Sequence, residues 1–90
     1  MRLRVEKEEV ISIMVVSLTN VKSGSKVRVI RIRGGLGTRQ RLSCLGIHPG
    51  DRIILEKSGF MRGPVLINIH GNQVALGRGV AAKILVEVES

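Results

Sequence analysis

Apolar residues in this chain recur mainly at every second position, in runs shorter than a helix needs. Lys26 to Arg33 alternates, with Val27 and Val29 in one phase and Ile30 and Ile32 in the other. A strand keeps one phase per face, so this switch predicts a β-bulge or strong bend near Val29 and Ile30. Arg52 to Lys57 reads as a strand with Ile53 and Leu55 on one face. Pro64 opens another, in which Val65, Ile67 and Ile69 share one face while Asn68 and His70 share the other. Gln73 to Gly77 returns with Val74 and Leu76 inward, and Ile84, Val86 and Val88 alternate with Leu85 and Glu87 in a last strand. Gly71-Asn72 predicts a two-residue hairpin turn with glycine at the first central position of a type II′ turn.

One stretch has a different grammar. Thr38 to Leu45 reads as a short helix with Thr38 as its cap, Leu42 and Leu45 as its apolar side, and Gly46 as a left-handed stop. Gly34, Gly35 and Gly37 form the loop before it, and Pro49-Gly50 turns the chain into the next strand. Ser58 to Pro64 is a glycine-containing connection around Phe60, and Arg78 to Lys83 has room for a single helical turn. The pattern therefore predicts a mainly β fold with one short α-helix near 38–45. About five to six short strands closing into a small barrel would leave no edge exposed.

Composition narrows this picture. The 90 residues suit one domain, and the 43% hydrophobic content includes one Phe and no Trp or Tyr, so the core must be aliphatic. A single cysteine, Cys44, excludes an intramolecular disulfide and fits a reducing cytosol. The longest apolar run, Val10 to Val16, is broken by Ser12 and falls short of the roughly 20 residues that span a bilayer. Glu6, Glu8 and Glu9 stand where a signal peptide would be apolar, so a cytoplasmic location is expected. Residues 1–17 read as an N-terminal extension and 18–90 as the barrel domain. Within the extension, Val10 to Leu18 would either add a strand to the barrel or pair with another subunit's edge to make a homo-oligomer.

The net charge of +8 points to anionic partners, and Arg28, Arg31, Arg33, Arg39 and Arg41 concentrate it on one strand, its loop and the following helix. At this point the chain resembles a known family. Leu18 with Lys22-Ser23-Gly24, the strand Val27 to Ile32, Gly34-Gly35, Arg39, Arg41-Leu42, Leu45-Gly46-Ile47, Pro49-Gly50, Gly63-Pro64, Gly71, Val74-Ala75-Leu76, Ala82, Ile84 and Val86 run in the order of a FeoA (ferrous iron transport protein A) domain. That resemblance implies an SH3-like barrel. It also implies an accessory or regulatory role in ferrous iron uptake, exercised on the cytosolic GTPase domain of the membrane transporter FeoB. The protein would then be cytoplasmic, held at the inner membrane through its partner.

The residues offer several chemistries to weigh. Arg39 and Arg41 in the first turn of a 38–45 helix would oppose the helix dipole at about 0.3 to 1 kcal/mol, which leaves two readings: both side chains are solvated on a short, frayed helix, or they meet carboxylates on a partner such as the FeoB cytosolic domain. Arg31 and Arg33 extend that candidate partner-binding set. Cys44, His48 and His70 are the candidate ligands for weak Fe2+ or Zn2+ binding. Gly46 and Pro49 separate Cys44 from His48, so the expectation is a buried, apolar Cys44 and ordinary histidines, with no cofactor required. Asp51 is the only aspartate, and no Ser/His/Asp or Cys/His/Asn set can be assembled from the sequence, so no enzyme activity is expected. The alternative is a small basic nucleic-acid-binding barrel, which the charge favours and the single Phe disfavours.

Overall fold

A computed structural model describes residues 15–58 and 63–89. Six antiparallel strands form one sheet: β1 (Val15–Ser17), β2 (Lys26–Ile32), β3 (Arg52–Ser58), β4 (Val65–Ile69), β5 (Asn72–Leu76) and β6 (Ile84–Glu89). Their order is β1-β6-β2-β3-β4-β5. Two helices interrupt them, α1 (Leu36–Cys44) and the single turn α2 (Arg78–Ala81), and a 3-10 turn spans Leu18–Asn20. The ladder runs without a gap from β1 to β5, but among the described residues no pairing joins β5 back to β1. The fold is thus the expected small, mainly β barrel of six strands with one short α-helix, its sheet curled around one core.

The core follows the alternation of the sequence. Val27, Val29, Ile53, Leu55, Val65, Ile67, Ile69, Leu76, Ile84 and Val86 are all buried, with Leu18, Leu42, Ile47 and Ala81 joining them from the connections. No buried polar or charged side chain occurs among the described residues, so burial of aliphatic surface is the main stabilising term. Val88 departs from its expected inward position and is 49% exposed at the end of β6.

Three residues of the N-terminal segment 1–17 lie in the sheet. Val15–Ser17 pair with Leu85–Glu87 of β6, and Ser17 also accepts from the Thr19 amide and donates to the Ala82 carbonyl at 3.1 Å. The rest of the extension, residues 1–14, lies outside the described residues, as does Phe60.

The expected bulge is present. The β2–β6 register shifts between Val29 and Arg31, so Ile30 and Arg31 both face outward between the buried Val29 and Ile32. Pairing of β2 with β3 ends at Arg28 and Arg52. Beyond that point β2 continues with β6 alone on one side, and α1 lies across from the other with an open groove between them.

The hairpin after β4 differs from expectation. Ile69 pairs with Asn72, which makes His70 and Gly71 the central residues, with φ of 55° and 83°. Two positive values define a type I′ turn, shifted by one residue from the expected Gly71-Asn72 turn. Histidine tolerates the left-handed region better than most residues do, and that is why the turn is hard to read from sequence.

Candidate functional site

Helix α1 begins at Leu36, two residues earlier than expected, with Gly35 at the N-cap position and no side-chain cap. Thr38 therefore lies within the helix and does not cap it, and Gly37 belongs to the helix as well. Leu42 anchors α1 in the core, whereas Leu45 is 42% exposed because it already sits at the C-cap. The end of α1 is a Schellman motif. The Gly46 amide donates to the Ser43 carbonyl and the Ile47 amide to the Leu42 carbonyl, both at 2.9 Å, and Gly46 has φ 84°. This placement also removes the dipole argument for both arginines. Arg39 is the fourth helical residue and Arg41 lies in the last turn, where a cation is favourable.

The chain then makes a tight turn through His48, Pro49, Gly50 and Asp51. The Asp51 amide donates to the His48 carbonyl at 3.0 Å, and Pro49 followed by Gly50 at φ 97° is the pattern of a type II turn. Two further bonds pin this turn to the bulged strand: Gly50 N–H to the Val29 carbonyl at 2.7 Å and Val29 N–H to the Asp51 carbonyl at 2.8 Å.

Between β2, α1 and this turn lies an open groove of about 420 Å³. Ile30 and Pro49 supply its exposed apolar surface above the buried Ile32 and Ile47, while Arg31, Arg39, Ser43 and His48 supply polar groups. The bulge makes the groove possible, because it turns two successive residues of β2 to the outside. Leu36, Arg39 and Ser43 share one side of α1 at helical spacing, and Leu36 is 70% exposed, so the apolar surface extends past the groove mouth.

The four candidate arginines divide here. Arg31 and Arg39 line this groove, whereas Arg41 lines a separate hollow with Gly37, Thr38 and Val80 against α2. The Arg33 amide donates to the Lys83 carbonyl at 2.8 Å at the end of β2, toward α2. Ion pairs separate them from Arg28 and Arg52. Arg28 meets Glu87 and Arg52 meets Glu89, each at 3.5 Å, while Arg31, Arg33, Arg39 and Arg41 form no ion pair among the described residues.

The candidate metal ligands do not converge. Cys44 is exposed, contrary to the expected buried position, because it falls on the outer side of α1 opposite Leu42. His48 and His70 do approach a common residue: His48 Nδ1 lies 3.3 Å from one Asp51 oxygen and His70 Nε2 3.6 Å from the other. Among the described residues no group of three or more His, Cys, Asp or Glu side chains is arranged to hold a metal ion.

A Ser, His, Asp line that sequence reasoning missed is nonetheless present. Ser43 Oγ is 3.1 Å from His48 Nε2, and the His48 amide donates to Asp51 Oδ2 at 2.7 Å. Its signal in the sequence was the spacing Ser43, His48, Asp51 across a helix stop and a turn, which becomes readable only once both are placed. The line lies on the surface, with the His48 side chain 55% exposed, and Ser43 stands in the last turn of α1. The negative end of the helix dipole lies there, which disfavours a developing oxyanion. The arrangement ties a helix end to a turn.

Fold and surface together define a small, basic SH3-like domain with two arginines unpaired among the described residues, Arg31 and Arg39, lining a groove with an apolar floor. A family model described as the FeoA domain matches residues 16–88. The chain therefore belongs to the FeoA family, a family associated with ferrous iron transport. It is similar to a Methanocaldococcus jannaschii protein assigned as Fe(2+) transport protein A, with 40% identity over 70 residues, 78% of this chain and 83% of that one. Among solved structures, it resembles the crystal structure of an iron uptake regulatory protein (FeoA), with 35% identity and a TM-score of 0.77 over 86% of this chain and 100% of that one. It likewise resembles the NMR structure of a FeoA-like protein from Clostridium acetobutylicum, with 31% identity and a TM-score of 0.75 over 87% of this chain and 91% of that one. No helix among the described residues is long and apolar enough to cross a membrane.

Proposed function

We propose that this protein is a cytoplasmic accessory subunit of ferrous iron uptake that acts by binding the cytosolic part of a FeoB-type transporter. Membership of the FeoA family supports the process, and the unpaired arginines Arg31, Arg33, Arg39 and Arg41 support the mode of action. Arg28 and Arg52 stand opposite each other in the sheet and are neutralised by neighbouring glutamates. Arg31, Arg33, Arg39 and Arg41 have no such partner among the described residues, and guanidinium groups of this kind form forked hydrogen bonds with carboxylates. The role is one of binding, without catalysis, and it makes no use of Cys44 or the histidines.

The test is capture of a purified FeoB GTPase domain by the tagged protein at near-physiological salt. Reversing Arg31, Arg33, Arg39 and Arg41 to glutamate is expected to weaken capture by about tenfold or more. Capture that is absent in the parent protein, or unchanged in the reversed one, would overturn the proposal.

A further inference from the structure

Resting on that reading, we infer that the groove between β2 and α1 receives an extended peptide segment with a carboxylate side chain and an aliphatic one two residues apart, on the same face. The groove has the form such a segment needs. One wall is the stretch Ile30–Ile32 of β2, which pairs with β6 on one side and, among the described residues, with no strand on the other. The opposite wall is α1, presenting Arg39 and Ser43. An extended chain laid between a strand edge and a helix gains main-chain hydrogen bonds from the strand while its alternate side chains enter the groove.

Groove chemistry selects those side chains. Ile30, 37% exposed, lies beside Ile32, Ile47 and Pro49, and surface of this kind favours an aliphatic residue over a polar one. Arg31 and Arg39 meet no acid among the described residues, and no acidic side chain lines the groove, so a carboxylate is the complementary charge. Asp51, in the turn beside the groove, is engaged with His48 and His70. Arg33 and Arg41 lie toward α2 and are predicted to take no part, which separates this inference from general attraction by a basic surface.

The test uses the full chain and a fluorescein-labelled octapeptide in which two glutamates and two leucines alternate among glycine and proline, read by fluorescence anisotropy. Arg39→Glu and Ile30→Glu are each expected to weaken binding by about tenfold or more, and Arg41→Glu by less than about twofold. Replacing the glutamates by glutamine, or the leucines by serine, in the peptide is expected to weaken binding by a similar factor. Ile30→Thr, a milder change at an exposed position, gives the same direction if Ile30→Glu fails to fold. The inference is overturned by a serine peptide that binds as well as the leucine one, by equal losses in the Arg39 and Arg41 variants, or by a thymidine oligonucleotide that displaces the peptide at equal concentration. Capture of the FeoB domain without peptide binding removes the groove and spares the proposed function; peptide binding without capture does the reverse.

Discussion

The amide of Ile47 donates to the carbonyl of Leu42 at 2.9 Å across the end of α1, and both side chains are buried. This one bond joins the helix that carries Arg39 to the turn that forms the far wall of the groove. It exists because Gly46, between them, takes φ 84°.

Gly46→Ala should therefore destabilise the fold without a steric clash, since a Cβ built at Gly46 meets nothing within 4 Å. The strain of a left-handed alanine is about 1 to 2 kcal/mol, and each kcal/mol lowers Tm by about 4 to 8 °C in a domain of this size. Thermal unfolding followed by circular dichroism measures it. A Tm equal to that of the parent protein would show that the Schellman bond contributes little.

His70 offers the opposite case. It occupies the first central position of a type I′ turn at φ 55°, and its contact to Asp51 is 3.6 Å long with the imidazole 62% exposed. Exposed pairs of this kind contribute little, whereas asparagine suits the backbone better. His70→Asn is expected to raise the urea midpoint slightly, because asparagine adopts the left-handed conformation of this turn more readily. A loss of stability would mean that the Asp51 contact outweighs the turn.

The Ser43, His48, Asp51 line is structural, and Ser43→Ala tests that reading directly. Hydrolysis of an activated ester by the parent and the variant should proceed at the same rate, while the variant loses no more than about 1 kcal/mol of stability from one exposed hydrogen bond. A rate that collapses in the variant would instead make Ser43 a nucleophile.

Much of the fold was legible because strands with one buried face print their register into the chain. The alternation of Val65, Ile67 and Ile69, and of Ile53 and Leu55, predicts which side chains are buried. The phase switch at Val29 and Ile30 marks the bulge for the same reason, since two outward neighbours cannot fit one alternation. Helix α1 was read less well. Its start carries glycines and no side-chain cap, so local preference gave no boundary, and Thr38, Cys44 and Leu45 were misplaced with it. The shared role of His48 and His70 on Asp51 was also out of reach, because a turn and a hairpin far apart in the chain supply the two rings.

For the candidate site, the sequence by itself determined the ingredients: a run of arginines on a bulged strand and a helix with a glycine stop, in the order of a FeoA domain. Only the tertiary structure decided how they are used. Strand alternation and helical spacing are local, whereas pairing of charges depends on which strands become neighbours. The placement of β6 beside β2 brings Glu87 to Arg28, that of α1 beside the free side of β2 brings Arg39 to Arg31, and packing against α2 draws Arg41 away.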